Sequence, residues 1–207
     1  MATLQTLDIT SPKARQILEG ASQVFLEFGY EGASTDKIAK QAGVSKGTVY
    51  NYFPDKKTLF IAFIEEECQK QASLIFKVES QPADIEAVLR EIAYNYVKMC
   101  PSPFIQGIYR LAVAEATRFP ALARTFYDSG PDLASRRMTQ LLAGAVARGE
   151  LKIDDVELAA HHFAQLCKAD LFEKCLFQIK QSVTPQEIDR IANNAVDTFL
   201  RAYRPHN

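Results

Sequence analysis

Apolar residues recur along this chain at intervals of three and four, and strand-type alternation is scarce. After residues 1–10, expected to be a loose arm, Ser11-Pro12 supplies a helix cap and a first-turn proline. Ile17, Leu18, Ala21, Val24, Phe25 and Phe28 follow in helical register, and Gly29 is expected to stop the run. Ser34 opens a second helix carrying Ile38, Ala39 and Ala42, closed by Gly43, and Ser45 opens a third that ends near Tyr52. Pro54-Asp55 breaks that helix and starts a fourth, from Lys56 to near Lys77. A fifth helix is expected beyond Pro82, with Ile85, Val88, Leu89, Ile92 and Tyr96 on its apolar side. Cys100-Pro101-Ser102-Pro103 is a firm break before a sixth helix, from Phe104 to near Arg118. Pro120 and Pro131 start two more, ending near Gly130 and Arg148. Asp154 with Glu157, and Thr184 with Glu187, have capping-box spacing and are expected to open two final helices of about 25 and 20 residues. The pattern predicts an all-α protein of about nine to ten helices.

Charge changes the picture locally. The chain of 207 residues is 47% hydrophobic with a formal charge of −1, so as a whole it is no polyelectrolyte binder. Residues 34–60, however, hold Lys37, Lys40, Lys46, Lys56 and Lys57 against Asp36 and Asp55, a net +3. Any affinity for an anionic polymer is expected there. Cys68, Cys100, Cys167 and Cys175 are widely spaced and form no CxxC. With no signal segment and no apolar run long enough to span a bilayer, a cytoplasmic protein with reduced, buried thiols is expected.

The stretch "GVSKGTVYNYFPDKKTLF" has too few aliphatic residues for a core helix. Gly43 permits the left-handed conformation of a tight helix-to-helix turn, and Val44, Ile38 and Val49 form a thin inner edge. The third helix can therefore project into a DNA major groove. Ser45 and the first-turn amides favour phosphate, and Gly47 leaves space where backbone must approach closely. Lys46, Thr48, Tyr50 and Asn51 can reach base edges or phosphates, with Tyr52 and Lys56 on the flanking backbone. The alternative is a solvated helical hairpin with incidental lysines.

"STDKIAKQAGVSKGTVYNYFPDKKTLF" resembles the N-terminal signature of the TetR/AcrR family of transcriptional regulators, over about Lys13 to Phe63. The shared features are Ile-Ala, Ala-Gly-Val, Ser-Lys-Gly-Thr, Tyr-x-Tyr-Phe, then a lysine and a leucine. The resemblance implies a homodimer whose third helices enter successive major grooves of a near-palindromic double-stranded DNA operator. Ser34 and Thr35 would then touch phosphate, Lys46, Gly47, Thr48, Tyr50 and Asn51 would face the groove, and Tyr52 and Lys56 would clamp the backbone. Thr58 departs from the pattern, where an acidic residue is usual, so a slightly weaker start to the fourth helix is expected from Asp55 alone.

Further on, "YRLAVAEATRFPALARTFYDSGPD" and "ARGELKIDDVELAAHHFAQL" are similar to the AefR-like subgroup of the family. A helix from about Asp155 to Ile179 is apolar nearly all round, and the last helix has a broad face of Ile188, Ile191, Ala192, Ala195, Phe199 and Tyr203. With their symmetry mates these two would make the family's four-helix dimer seam; without the resemblance they could equally complete the monomer core. Tyr94, Met99, Phe104, Tyr109, Phe126, Met138, Phe163 and Phe172 supply the aromatic and thioether lining of a pocket for an apolar or aromatic small molecule, or else ordinary core.

The expected organisation is an arm over 1–10, a helix-turn-helix DNA-binding domain over 11–55, a linking helix over 56–79, and a ligand-binding and dimerisation domain over 80–207. No catalytic residues, cofactor, metal site or membrane partner is expected. Glu157, His161, His162 and Cys167 lie close in sequence, but adjacent histidines point about 100° apart on a helix. The function expected is a ligand-responsive repressor; the alternatives are a regulator or architectural protein without a small ligand, and an activator.

Overall fold

The structure is a computed structural model, and it describes residues 11–78 and 84–205. The expected arm over 1–10 and the start signal at Pro82 lie outside the described residues. Helices account for nearly all regular structure: α1 (Pro12–Gly32), α2 (Thr35–Ala42), α3 (Lys46–Tyr52), α4 (Lys56–Ile75), α5 (Ile85–Met99) and α6 (Pro103–Glu115). They continue through α7 (Pro120–Ser129), α8 (Pro131–Ala147), α9 (Val156–Lys168), α10 (Leu171–Leu176) and α11 (Pro185–Tyr203). Among the described residues no helix is long and apolar enough to cross a membrane. The chain divides into two compact units, Met1–Cys68 with Arg110–Phe126, and Gln69–Tyr109 with Tyr127–Asn207. The divisions fall inside α4 and α7 and near the middle of α6.

In the first unit Ser11 caps α1 by accepting from the Ala14 amide at 3.1 Å. Ile17, Leu18, Ala21, Val24 and Phe25 are buried on one stripe of that helix. Phe25 meets Phe60 of α4 edge-on at 4.9 Å and lies 5.9 Å from Phe63. Gly29 does not stop α1 cleanly: at φ 71° it kinks the chain, and a last turn continues to Gly32. That turn places Tyr30 5.0 Å from Phe119 and 5.2 Å from Phe60. Burial, then the nearby Asp55, Glu31 and Glu115, raises the Tyr30 phenol above its ordinary pKa. α1 and α2 approach closely at Gly20, where a methyl group would come within 2.8 Å of both Cβ and backbone N of Ala42. Gln16 Nε2 donates to the Ala42 carbonyl at 2.6 Å in the same place.

The second unit is built on α5 and α11 lying together, with α9 against α8 and α11. Leu89, Ile92, Ala93 and Val97 of α5, Met138 and Leu142 of α8, Ala159 and Phe163 of α9, and Val196 and Phe199 of α11 form its core. Thr184 and Glu187 make the capping box expected for α11. The box expected at Asp154 and Glu157 does not form; the cap is Asp155, which accepts from the Leu158 amide at 2.9 Å. Nor is there one helix of about 25 residues from Asp155. It breaks after Lys168, where the Leu171 amide bonds back to the Ala169 carbonyl at 2.8 Å around Asp170, at φ 68° and ψ −44°. This is a strained three-residue turn on a non-glycine residue. Neither glycine nor proline marks it in the sequence, and Asp170 is held there by ion pairs to Lys174 and to Arg190, the latter at 2.8 Å.

Candidate nucleic-acid interface and effector region

Gly43, at φ 65°, closes α2 and turns the chain within two residues into the Ser45 cap of α3. Ser45 Oγ accepts from the Thr48 amide at 3.0 Å and lies 2.8 Å from the Thr48 hydroxyl. Val49 is the buried residue of α3; Lys46, Gly47, Tyr50 and Asn51 are exposed, and Thr48 and Tyr52 are half-buried. Thr35 at the start of α2 comes within 3.4 Å of the Tyr50 hydroxyl, so one polar surface carries residues of both helices. Ser34 caps α2 through the Lys37 amide at 3.3 Å. Of the predicted DNA-facing residues, Thr35 and Tyr50 are thus brought together across α2 and α3.

Gly47 has no internal reason to be glycine. Its φ is ordinary, and an added methyl group would meet only Ser45 Oγ, at 3.8 Å. A glycine within a helix costs up to about 1 kcal/mol relative to alanine.

The lysines are less uniform than their sequence suggests. Lys46 pairs with Asp36 at 3.0 Å, and the hydrogen bond to that carboxylate raises its pKa. Both partners are exposed, so the pair contributes little to stability. Lys56 is engaged quite differently. Its ammonium donates to the carbonyls of Tyr30 (2.8 Å), Glu31 (3.4 Å) and Ala33 (3.1 Å) at the end of α1, 4.5 Å from the Tyr30 ring centroid. These are orphan carbonyls of a helix terminus, the natural partners of a cation. Lys56 therefore ties α4 to α1, and Lys57 and Lys40, counted from sequence in the basic segment but given no contact of their own, are exposed and offer charge to solvent. Asp55 caps α4 as expected, accepting from the Thr58 amide at 2.7 Å, a bond that lowers its carboxyl pKa.

The residues expected to line a ligand pocket do not converge as a set. Met138 and Phe163 are packed into the main core of the second unit, Phe163 edge-on to Phe199 at 5.3 Å. Phe126 is buried in α7, in the first unit. Tyr94 lies on an open groove with Arg90, Lys98 and Asn193. Met99, Phe104, Tyr109 and Phe172 do come together, around Cys100 and Ile105 and beside Tyr96 and Leu176. Tyr109 meets Phe172 edge-on at 4.8 Å. Gln106 also faces inward, only 4% exposed. Its Nε2 donates to the Cys100 carbonyl, but its Oε1 has no partner. A buried amide oxygen left unpaired costs about 1–3 kcal/mol. Gln106 was not singled out from sequence, and Tyr96 was read only as part of the apolar side of the fifth helix; the available signal for Gln106 was a lone amide in the apolar run Phe104 to Ile108.

Other chemistry is sparse. Burial pushes the thiols of Cys68 and Cys100 up to about 12 and those of Cys167 and Cys175 upward as well, which leaves them protonated and unreactive at neutral pH. His161 lies 3.4 Å from Ser135 Oγ, whereas His162 bonds the Tyr203 hydroxyl at 2.7 Å. Among the described residues no group of three or more histidine, cysteine or acidic side chains could hold a metal ion.

A buried inner edge, a two-residue turn and a short exposed helix define a helix-turn-helix protein. Residues 17–63 match the bacterial regulatory proteins of the tetR family, and residues 87–205 match the AefR-like transcriptional repressor C-terminal domain. The chain belongs to the TetR family of transcriptional regulators. It is similar to the flavonoid-responsive regulator FrrA, at 34% identity and a TM-score of 0.80, covering 94% of this chain and 98% of that one. It also resembles a Mesorhizobium loti protein assigned to the same family, at 28% identity and a TM-score of 0.84, covering 93% and 97%. The repressor AcnR of Corynebacterium diphtheriae is 37% identical over 65 residues, 31% of this chain and 34% of that protein. The chain thus spans about a third of the length of such curated repressors.

Proposed function

We propose that the chain is a homodimeric transcriptional repressor that holds a near-palindromic operator through α3 and leaves it when a small amphipathic or aromatic molecule binds the second unit. The observation that carries the DNA reading is Gly47, a helical glycine with space around it inside the protein and an exposed polar face beside it. The net +3 over residues 34–60 supplies the sequence-independent attraction to phosphate, and Thr48, Tyr50 and Asn51 supply the groups that distinguish bases. Residues 11–55 read DNA, α4 connects, and residues 80–207 dimerise and take the ligand. On this reading the protein works where the DNA is, in the cytoplasm.

For the dimer, α11 uses its apolar face within its own unit, so the seam draws on what remains outside: Leu158 of α9, and Phe177 and Ile179 just after α10, all exposed. The name of FrrA, similar along nearly its whole length, supports a ligand-responsive second unit.

Mobility shift at graded salt on a selected operator tests the DNA reading. Thr48→Ala and Asn51→Ala are expected to change the preferred operator, each weakening the cognate site by about 5- to 100-fold while leaving non-specific binding intact. Unchanged preference in both variants would remove α3 from the groove. Sedimentation equilibrium gives the dimer directly, and a monomer at micromolar concentration would sink that part of the proposal.

A further inference from the structure

We infer that the cluster around Gln106 is a binding site for a hydroxylated aromatic compound, whose hydroxyl donates to Gln106 Oε1 while its ring lies among Tyr96, Tyr109 and Phe172. This rests on the second unit being the one that takes a ligand, and it names the chemistry of that ligand.

Half of Gln106 is explained by the protein. Nε2 caps the Cys100 carbonyl where α5 ends. The other half is an acceptor, buried and unpaired. An apolar side chain of similar shape would avoid that penalty, so the oxygen acts on something absent from the folded chain alone. The surroundings agree. This small cluster is bounded by side chains that keep accessible surface, namely Tyr96, Met99, Phe104, Tyr109 and Leu176. Phe172 and Leu176 also line a cleft of about 400 Å³ at the α9–α10 break, so the cluster has an outer side through which a small molecule can reach it.

Chemistry narrows the occupant. An amide oxygen requires an O–H or N–H donor. A carboxylate would set acceptor against acceptor, and a hydrocarbon chain would leave the oxygen as unpaired as before. The walls offer ring faces and edges, which suit an aromatic body. Lys168 stands at the rim with its ammonium 5.6 Å from the Phe172 centroid, and burial lowers its pKa. A cation so placed favours the electron-rich ring and polarised oxygen of a phenol. The convergence is on phenolic compounds rather than fatty acids or sugars.

The test is calorimetric titration of the intact protein, without DNA, using 2-naphthol and 2-methoxynaphthalene, which share a ring system and differ in the donor. Binding of 2-naphthol is expected to be about 10-fold tighter, and Gln106→Leu is expected to shrink that gap to about twofold or less. Equal affinities on the unaltered protein, or no binding of either compound, would overturn the assignment. The two-ligand comparison decides even if Gln106→Leu does not fold. A separate mobility shift keeps the two readings apart: naphthol bound with DNA retained leaves this site standing and removes its coupling to the operator. DNA released by another ligand with naphthol unbound leaves the repressor standing and removes this site.

Discussion

Replacing Gly47 by alanine separates stability from DNA binding. The new methyl group meets Ser45 Oγ at 3.8 Å, an ordinary contact, and the backbone has no positive φ to strain. The helix gains about 0.5–1 kcal/mol from alanine, at the lower end because residue 47 lies in the first turn of α3. The expected result is a urea midpoint equal to or above that of the unaltered protein. DNA binding should move the other way. If backbone approaches position 47 closely, the methyl group holds the helix off and loses at least one good contact, about 1.4 kcal/mol or tenfold in Kd. Gly20→Ala is the control. There the methyl group falls within 2.8 Å of Cβ and backbone N of Ala42, with no flexible tip to move aside. Overpacking of about 1–3 kcal/mol outweighs the helical gain, so this variant should be less stable. The assays are urea unfolding followed by circular dichroism, and mobility shift at fixed salt. Undiminished operator affinity in a folded Gly47→Ala protein would refute the argument, because glycine would then be kept at 47 for no external approach.

Lys56→Ala should act mainly through stability: three carbonyls at the end of α1 lose a charged donor, and unfolding should become easier by about 1–2 kcal/mol after allowing for partial exposure. A pure phosphate clamp would instead leave the urea midpoint unchanged and lower only the salt slope of DNA binding. The α11 cap predicts an acid-side effect. The Thr184 amide, then Lys180, lowers the Glu187 carboxyl from 4.5 to about 2, so its stabilisation is complete above about pH 4.5 and is lost as pH falls towards 2. Unfolding of Glu187→Gln followed over that window should show a shallower pH dependence than the unaltered chain; an identical profile would remove the cap from the account.

Much of this protein is set by local chemistry and is therefore legible in one dimension. Ser11, Ser34, Ser45, Asp55 and Thr184 each cap the helix that follows, because a cap needs only its own next three residues. Gly43 turns α2 into α3 for the same reason, and the motif over residues 17–63 follows from that spacing. What only the tertiary structure decided depends on residues far apart. Asp154 and Asp155 both precede α9, and only the folded start of that helix selects Asp155. The break at Asp170 carries no glycine or proline and is fixed in part by Arg190, twenty residues on. Lys56 looked like a surface cation until α1 brought three carbonyls to it. Aromatic side chains spaced like a pocket divided among a packed core, a surface groove and one small cluster, because periodicity states which face is apolar but not what covers it. An orphaned oxygen such as Gln106 Oε1 is likewise invisible in sequence, since pairing is a property of the fold.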